Sequence, residues 1–327
     1  MPLQLYFTDG RFTLLPQNRK LRFLLSGYYG FGNLGDDALL EVIVAQLKTK
    51  YPRADIDVLS ADPQSTAYQL RVDATLRSDV ARVNEAISRA DVVLSGGGGL
   101  LQNTTSMRSL LYYAGIIRAA IRARRKTMIF GQSVGPLDFW GKTVVRKWCA
   151  GTSRATVRDG RSYALLRRLL PATLVEKTAD PVFLYSVPDE DADLTLEGLG
   201  PGSDPLVVVS VRKAPGMQDG TPVIAQAVDR LMERYGARVA FLPLGGAPDA
   251  EISTSIIRKY RSAPTLLPDC NLQRVANIIR RAHLVIGMRL HALILAARYR
   301  VPFLAIPYDP KVAALSEDIA YPLPALW

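Results

Sequence analysis

Ile87-Ser88-Arg89-Ala90-Asp91-Val92-Val93-Leu94-Ser95-Gly96-Gly97-Gly98-Gly99 decides the fold. The apolar run Asp91–Ser95 leaves a helical segment and stops in four glycines, the pattern of a buried strand that turns sharply into the next helix. Its first eight residues have a counterpart in Ile279-Arg280-Arg281-Ala282-His283-Leu284-Val285-Ile286, which aligns Ser95-Gly96 with Gly287-Met288. Two helix-to-strand junctions of one kind therefore stand in the two halves of the chain. In open α/β sheets, ligands bind outside the carboxyl ends of the strands, so both segments are expected to border one cleft.

Outward from these junctions the same rhythm continues. Strands are predicted at Leu21–Ser26, Ile56–Leu59, Thr127–Phe130 and Ala155–Val157, with helices at Asp36–Lys50, Val80–Arg89, from about Thr105 to Arg125, and after Asp159. Residues 186–204 break the pattern with Asp189, Glu190, Asp191, Asp193, Glu197 and Asp204 among Gly and Pro, and read as a linker. Beyond it come strands at Leu206–Val211, Arg238–Leu242, Leu284–Ile286 and Phe303–Ile306, and helices at Pro222–Tyr235, Ala250–Tyr260, Leu272–Arg281 and Leu290–Ala297. The expectation is α/β: two Rossmann-like doubly wound domains, 1–185 and 205–327, joined by 186–204 and facing a cleft.

The 327 residues carry 41 Lys and Arg against 30 Asp and Glu, a net charge of +11. From Arg108 to Arg168 there are 14 cations and two acids, Asp138 and Asp159, so this segment is +12 and the rest of the chain −1. A field focused in this way calls for an anionic partner: nucleic acid, an anionic membrane surface or a phosphorylated substrate. Two cysteines, Cys149 and Cys270, exclude a disulfide scaffold and fit a reducing compartment. Two histidines, His283 and His291, argue against a His-rich metal centre, and no carboxylate cluster suggests a metal. The polar, Arg/Lys-punctuated N-terminus shows no secretory signal. Leu110–Ile121 is too short to span a bilayer and contains Arg118, so it reads as a core helix with a basic end or as a surface used at a membrane.

Gly30-Phe31-Gly32-Asn33-Leu34-Gly35 is a literal dinucleotide fingerprint, yet Gly27-Tyr28-Tyr29 lengthens the turn before it. Asp36 and Asp37 would repel a phosphate there, and read better as helix caps or as acceptors for hydroxyls in the cleft. The second loop, with Gly97 and Gly98, allows close backbone approach, and Gln102, Asn103 and Thr104 are neutral groups suited to a sugar. Gly287-Met288-Arg289-Leu290-His291 puts an arginine and a histidine at a helix start that favours anions. Tyr308-Asp309-Pro310-Lys311 holds Lys311 at a later strand end, and Arg158 ends a strand in the first half. Convergence of Arg158, Arg289, His291 and Lys311 would suit a small anion carrying carboxylate and phosphate. His283, just before a strand, reads as a packing or surface residue.

Taken in order, Ser26–Asp36, Gly96–Gln102, Gly131-Gln132-Ser133-Val134-Gly135-Pro136, Val157-Arg158-Asp159, Asp180-Pro181, Gly287–His291 and Tyr308–Lys311 resemble the motifs of the polysaccharide pyruvyl transferase family. The resemblance runs from about Leu21 to Lys311, and the closest type is the bacterial enzyme that pyruvylates N-acetylmannosamine in a cell-wall polymer. It implies a GT-B-like fold with phosphoenolpyruvate as co-substrate and no cofactor. On the matching positions it implies a donor-binding and catalytic set of Arg158, Arg289, His291 and Lys311, with the Leu290 backbone beside them. Asn33, Asp36, Asp37, Gly97, Gly98 and Gln102 then face the acceptor, an amino sugar or lipid-linked saccharide. The localisation expected is cytoplasmic, peripheral at the inner membrane face, where Arg118–Lys126 and Arg146-Lys147 are candidates for steering a lipid-linked acceptor. The segment lacks regular aromatic interleaving and a nucleic-acid-binding motif, so no nucleic-acid partner is expected. Such folds continue into a C-terminal helix that crosses back to the first domain, and the end of this chain at Ala320–Trp327 is read as shortened. His291 is the expected proton-transfer group. His291→Ala and Arg289→Ala are expected to abolish transfer with the fold intact. The alternatives are a GT-B glycosyltransferase using a nucleotide sugar, for which no acidic ribose-binding residue is evident, and a non-enzymatic polyanion binder acting through 108–168.

Overall fold

The structure is a computed structural model that describes residues 6–8, 11–13, 20–187, 199, 202, 204–213, 217–259, 264–268 and 270–323. Most of the predicted linker lies outside the described residues. The chain opens with a two-stranded antiparallel hairpin, β1 (Tyr6–Thr8) and β2 (Arg11–Thr13). A seven-stranded sheet follows: β3 (Arg22–Ser26), β4 (Asp55–Ser60), β5 (Asp73–Leu76), β6 (Val92–Gly96), β7 (Lys126–Gln132), β8 (Arg154–Val157) and β9 (Leu174–Lys177). Its helices are α1 (Leu34–Lys50), α2 (Pro63–Leu70), α3 (Val80–Arg89), α4 (Met107–Arg122), α5 (Phe139–Trp148) and α6 (Gly160–Leu169). A 3-10 turn at Pro181–Leu184 leads to a five-stranded sheet: β10 (Leu206–Ser210), β11 (Arg238–Phe241), β12 (Thr265–Leu266), β13 (Leu284–Gly287) and β14 (Phe303–Ala305). Its helices are α7 (Met217–Tyr235), α8 (Ala247–Ile257), α9 (Leu272–Arg281), α10 (Leu290–Arg298) and α11 (Pro310–Asp318).

Both sheets are wholly parallel, ordered β5-β4-β3-β6-β7-β8-β9 and β12-β11-β10-β13-β14. The order reverses between β3 and β6 in the first sheet and between β10 and β13 in the second, and each reversal opens a crevice at the strand ends. The two repeated junctions of the sequence are thus α3-to-β6 and α9-to-β13, in the same topological place of each sheet. Helices on both faces leave the central strands no wet side, and β10, Leu-Val-Val-Val-Ser, is buried at every position.

The fold class agrees with the sequence reading, and the differences have local causes. Asn33, not Asp36 or Asp37, caps α1: its side chain accepts from Gly35 N at 3.1 Å, worth about 1 kcal/mol. Asp36 and Asp37 sit in the first turn, where carboxylates favour the helix dipole. Tyr308–Lys311 is not simply a loop, since Asp309 caps α11 and carries Lys311 into its first turn. The elements β1, β2, α2, β5, α5, β9, β12 and α11 escaped the periodicity reading: all but α5 have nine residues or fewer, and several are half exposed. The apolar face of α4, including Leu110, Tyr113, Ile117 and Ala120, is buried, so α4 packs as a core helix, while its basic residues Arg108 and Arg122 stand exposed on the outer face. Among the described residues, no helix is long and apolar enough to cross a membrane.

The two sheets are pinned together on one side. A single apolar cluster runs from Ala38, Leu39 and Val42 of α1 through Val182 and Tyr185 to Leu290, Leu293 and Ile294 of α10. Lys177 and Asp318 form an ion pair across the same seam. This contact fixes the mouth of α10 against the start of α1.

Candidate active site

The strand ends of both sheets enclose a cleft of about 950 Å³, within the range of small-molecule sites. On the first side, Tyr29 is buried and donates through Oη to the Gly96 carbonyl at 2.7 Å, fastening one glycine loop to the other. Gly98 has φ +65°, and a Cβ there would lie 2.6 Å from Asp36 Oδ1, so only glycine lets the carboxyl reach this wall. The Gly98 carbonyl accepts from Ser133 N at 2.9 Å, joining the loop to the end of β7.

Arg158 leaves β8 as a buried cation. Its backbone N–H donates to the Gln132 carbonyl at 3.1 Å, its Nε donates to Ser133 Oγ at 2.8 Å, and its Nη1 pairs with Asp180 Oδ2. Asp180 is held in turn by Val182 N, 2.8 Å from Oδ1, at the start of the 3-10 turn. From the second side, Arg289 leaves β13 and binds Asp249 in a fork, Nε to Oδ2 at 2.6 Å and Nη2 to Oδ1 at 2.5 Å. Asp249 lies on α8 and is fully buried. Lys311 Nζ is 3.4 Å from Asp309 Oδ2 and lines the cleft beside them. Both guanidiniums therefore have one acid partner each and keep further N–H donors.

His291 stands in the first turn of α10, its imidazole packed against the backbone of Gly35, where any Cβ would collide with Nδ1. Its Nε2 is buried, lies 3.9 Å from Asp180 Oδ2, and has no hydrogen-bond partner among the described residues. Such an atom is costly to bury unless a ligand completes it. Burial first, and then the nearby cations Arg158, Lys311 and Arg289, push the imidazole down to about 4 against the opposing pull of Asp180. His291 is thus neutral at physiological pH, not the half-protonated group that its ordinary titration suggests. Asp36 moves the other way: desolvation, only partly offset by Arg158 and Lys311, pushes its carboxyl up to about 7. Asp36 is therefore a carboxyl of the cleft that holds its proton up to near neutrality.

Asn33, Asp36, Gly98, Gln102, Arg158, Arg289, Leu290, His291 and Lys311 all line the cleft, as the sequence reading placed them. Two expected residues do not. Gly97 faces the Leu39 side chain, and Asp37 Oδ1 accepts from Gly30 N at 3.3 Å to shape the loop. Asn33 and Gln102 are also spent internally, the latter accepting from Thr104 N at 2.8 Å and donating to Thr105 Oγ1 at 2.5 Å. His283 ties the second sheet together, its Nδ1 accepting from Leu206 N at 3.0 Å. Sequence reasoning gave no role to Asp180, although its motif was visible, and missed Asp249 entirely. It also missed an aromatic wall: the Tyr28 and Phe31 rings stack at 4.2 Å, with the Arg77 guanidinium 4.8 Å from the Phe31 centroid. No sequence signal predicts that wall, because Arg77 reaches it from the carboxyl end of β5, two strands away from β3 in the sheet. Among the described residues no His, Cys, Asp and Glu cluster has the make-up of a metal site.

Comparison with known proteins places this geometry in context. Residues 33–310 match the family described as polysaccharide pyruvyl transferase. The fold is similar to the S. aureus MnaA-UDP co-structure at 10% identity and a TM-score of 0.62, over 91% of this chain and 87% of that one. It is also similar to a UDP-GlcNAc 2-epimerase from Methanocaldococcus jannaschii (12% identity, TM-score 0.60, 88% and 84% covered). A third likeness is the UDP-GlcNAc 2-epimerase from Neisseria meningitidis bound to UDP-GlcNAc (11% identity, TM-score 0.58, 93% and 92% covered). At these identities the likeness establishes a GT-B-like fold and nothing about chemistry.

Proposed function

The chain belongs to the polysaccharide pyruvyl transferase family, and from that premise we propose that it moves the pyruvyl group of phosphoenolpyruvate onto two hydroxyls of an amino sugar, as a cyclic ketal, with release of phosphate. The observation that carries this reading is the buried His291 Nε2, without a hydrogen-bond partner among the described residues and close to Arg158, Arg289 and Lys311. A phosphorylated enol carboxylate supplies the two anionic groups that such a ring of donors can bind, in a site shaped by unit 205–327 with Arg158 reaching in from unit 1–185.

The roles follow from the titrations. Asp36, protonated near neutrality, delivers a proton to C3 and leaves a cation-like C2. A sugar hydroxyl attacks C2 and passes its proton to neutral His291, and the imidazolium then hands that proton to the departing phosphate. The second hydroxyl closes the ketal and its proton returns to Asp36. Arg158, Arg289 and Lys311 stabilise the charge that builds on the leaving phosphate. The acceptor enters along the glycine loops, with its apolar face toward Tyr28 and Phe31, and N-acetylmannosamine of a lipid-linked precursor at the cytoplasmic membrane face is the acceptor we favour.

The test is phosphate release from phosphoenolpyruvate with and without aryl or lipid-linked amino sugars. Stimulation by one acceptor class supports the reading. Silence with every acceptor, together with turnover of a nucleotide sugar, replaces it with glycosyl transfer.

A further inference from the structure

Three consecutive helices on one face of the first sheet contain no acid. The helices α4, α5 and α6 carry Arg108, Arg118, Arg122, Lys142, Arg146, Lys147, Arg161, Arg167 and Arg168, and not one Asp or Glu. The segment's two acids, Asp138 and Asp159, are helix caps whose carboxylates accept from Gly141 N at 2.6 Å and Ser162 N at 2.8 Å. The three helices pack side by side, α4 on α5 and α5 on α6.

From this basic face one apolar feature projects. Phe139 and Trp140 open α5 with 71% and 68% of their surfaces exposed, their rings 5.5 Å apart and edge to face. Lys142 and Arg146, at helical spacing behind Phe139, are exposed on the same stripe. Two adjacent bulky aromatics left in water are not explained by packing, because the helix already buries Gly141 and Val145 inward. Aromatic residues at the head of a cationic helix match a bilayer interface, where rings sit at headgroup depth and cations meet anionic lipid.

The position also fits. Asp138 N donates to Asn103 Oδ1 at 3.1 Å, and Gly141 lies against the Asn103 side chain, so the aromatic end of α5 rests on the 102–106 loop that lines the cleft. We propose that the α4–α5–α6 face docks on an anionic lipid bilayer, with Phe139 and Trp140 inserted at the headgroups and the cleft mouth held at the surface. A lipid-linked acceptor then reaches the glycine loops without leaving the membrane. This goes beyond the reaction assigned above and needs no activity to be tested.

The test is co-sedimentation of the full chain with vesicles of phosphatidylcholine, with or without about one third phosphatidylglycerol. The chain is expected to pellet with the anionic vesicles only and to be released by high salt. F139S/W140S lowers the partition on the order of tenfold through lost apolar burial. K142Q/R146Q lowers it about thirtyfold at two surface charges lost. Both pairs are exposed, so unchanged thermal midpoints exclude unfolding as the cause. Failure of the wild-type chain to pellet with anionic vesicles overturns the proposal, as does equal pelleting of F139S/W140S. Tight, salt-sensitive retention on duplex DNA by a chain that ignores vesicles overturns it too.

Discussion

The imidazole of His291 packs directly on the backbone of Gly35, so that a residue from the second sheet's α10 closes on the first turn of α1 of the first. The two halves of the site are therefore registered by one close contact. The apolar seam from Leu39 through Val182 to Leu293 keeps that contact shut.

Gly35→Ala tests this registration. The added methyl must move the ring or part the helices, and a misplacement near 1 Å at a reacting group costs on the order of a hundredfold in turnover. The expected result is a turnover loss of that order with an overpacking cost of only about 1–3 kcal/mol in denaturant unfolding. Wild-type turnover in this variant would show that the contact does not position His291.

The pH dependence has a definite sign. Asp36 must be protonated to act, so turnover falls as pH rises through about 7, and His291 must be neutral, so it falls again as pH drops through about 4. Asp36→Asn removes the alkaline limb and lowers the rate about 10²–10⁴-fold. The folded state holds the Asp36 proton more tightly than the unfolded chain does. Its stabilising contribution is full below the ordinary carboxylate range and is lost as pH rises through about 7. The thermal midpoint of Asp36→Asn should therefore gain on the wild type between pH 5 and pH 8, on the order of the shift between those two states. A constant difference across that interval contradicts the assignment.

Arg289→Ala is not expected to leave the fold intact, contrary to the sequence reading. It strands the fully buried Asp249 carboxylate, and breaking one side of a buried pair costs about 3–5 kcal/mol. Replacing both members with apolar residues, R289M/D249L, should restore most of that stability in urea unfolding while leaving transfer abolished. Equal stability of Arg289→Ala and wild type would mean the pair is not desolvated.

His291 offers a spectroscopic check. Labelled imidazole should stay neutral down to about pH 4 in the free protein. Saturating inorganic phosphate, by neutralising the surrounding guanidiniums, should raise that midpoint. A midpoint unmoved by phosphate would place the anion elsewhere.

Much of the fold was legible because parallel strands buried on both faces must be short, apolar and bounded by glycine, as Val92–Gly96 and Leu284–Gly287 are. The helices α3 and α9 were read to the residue because their apolar stripes are strong and their caps, Asp79 and Asn271, stand just outside. The helices α2 and α5 carry weaker stripes, and local pattern does not resolve them. Within the site, Arg158, Arg289, His291 and Lys311 were identifiable because each ends or follows a strand at the carboxyl edge. Asp249 was not, since it lies 40 positions before Arg289 on a different helix and no local rule links the two. Gly97 was misplaced because two adjacent glycines look alike in sequence, whereas only Gly98 turns toward Asp36.

The sequence by itself determined the repeated strand-to-glycine junctions, the basic segment 108–168 and the residue types that gather at the strand ends. Only the tertiary structure decided which acid pairs with which arginine, that His291 is held neutral, and that Asp36 is held near neutrality. The reason is physical: residue identity and spacing set local conformation, but a titration and an ion pair depend on desolvation and on charges brought in from distant parts of the chain.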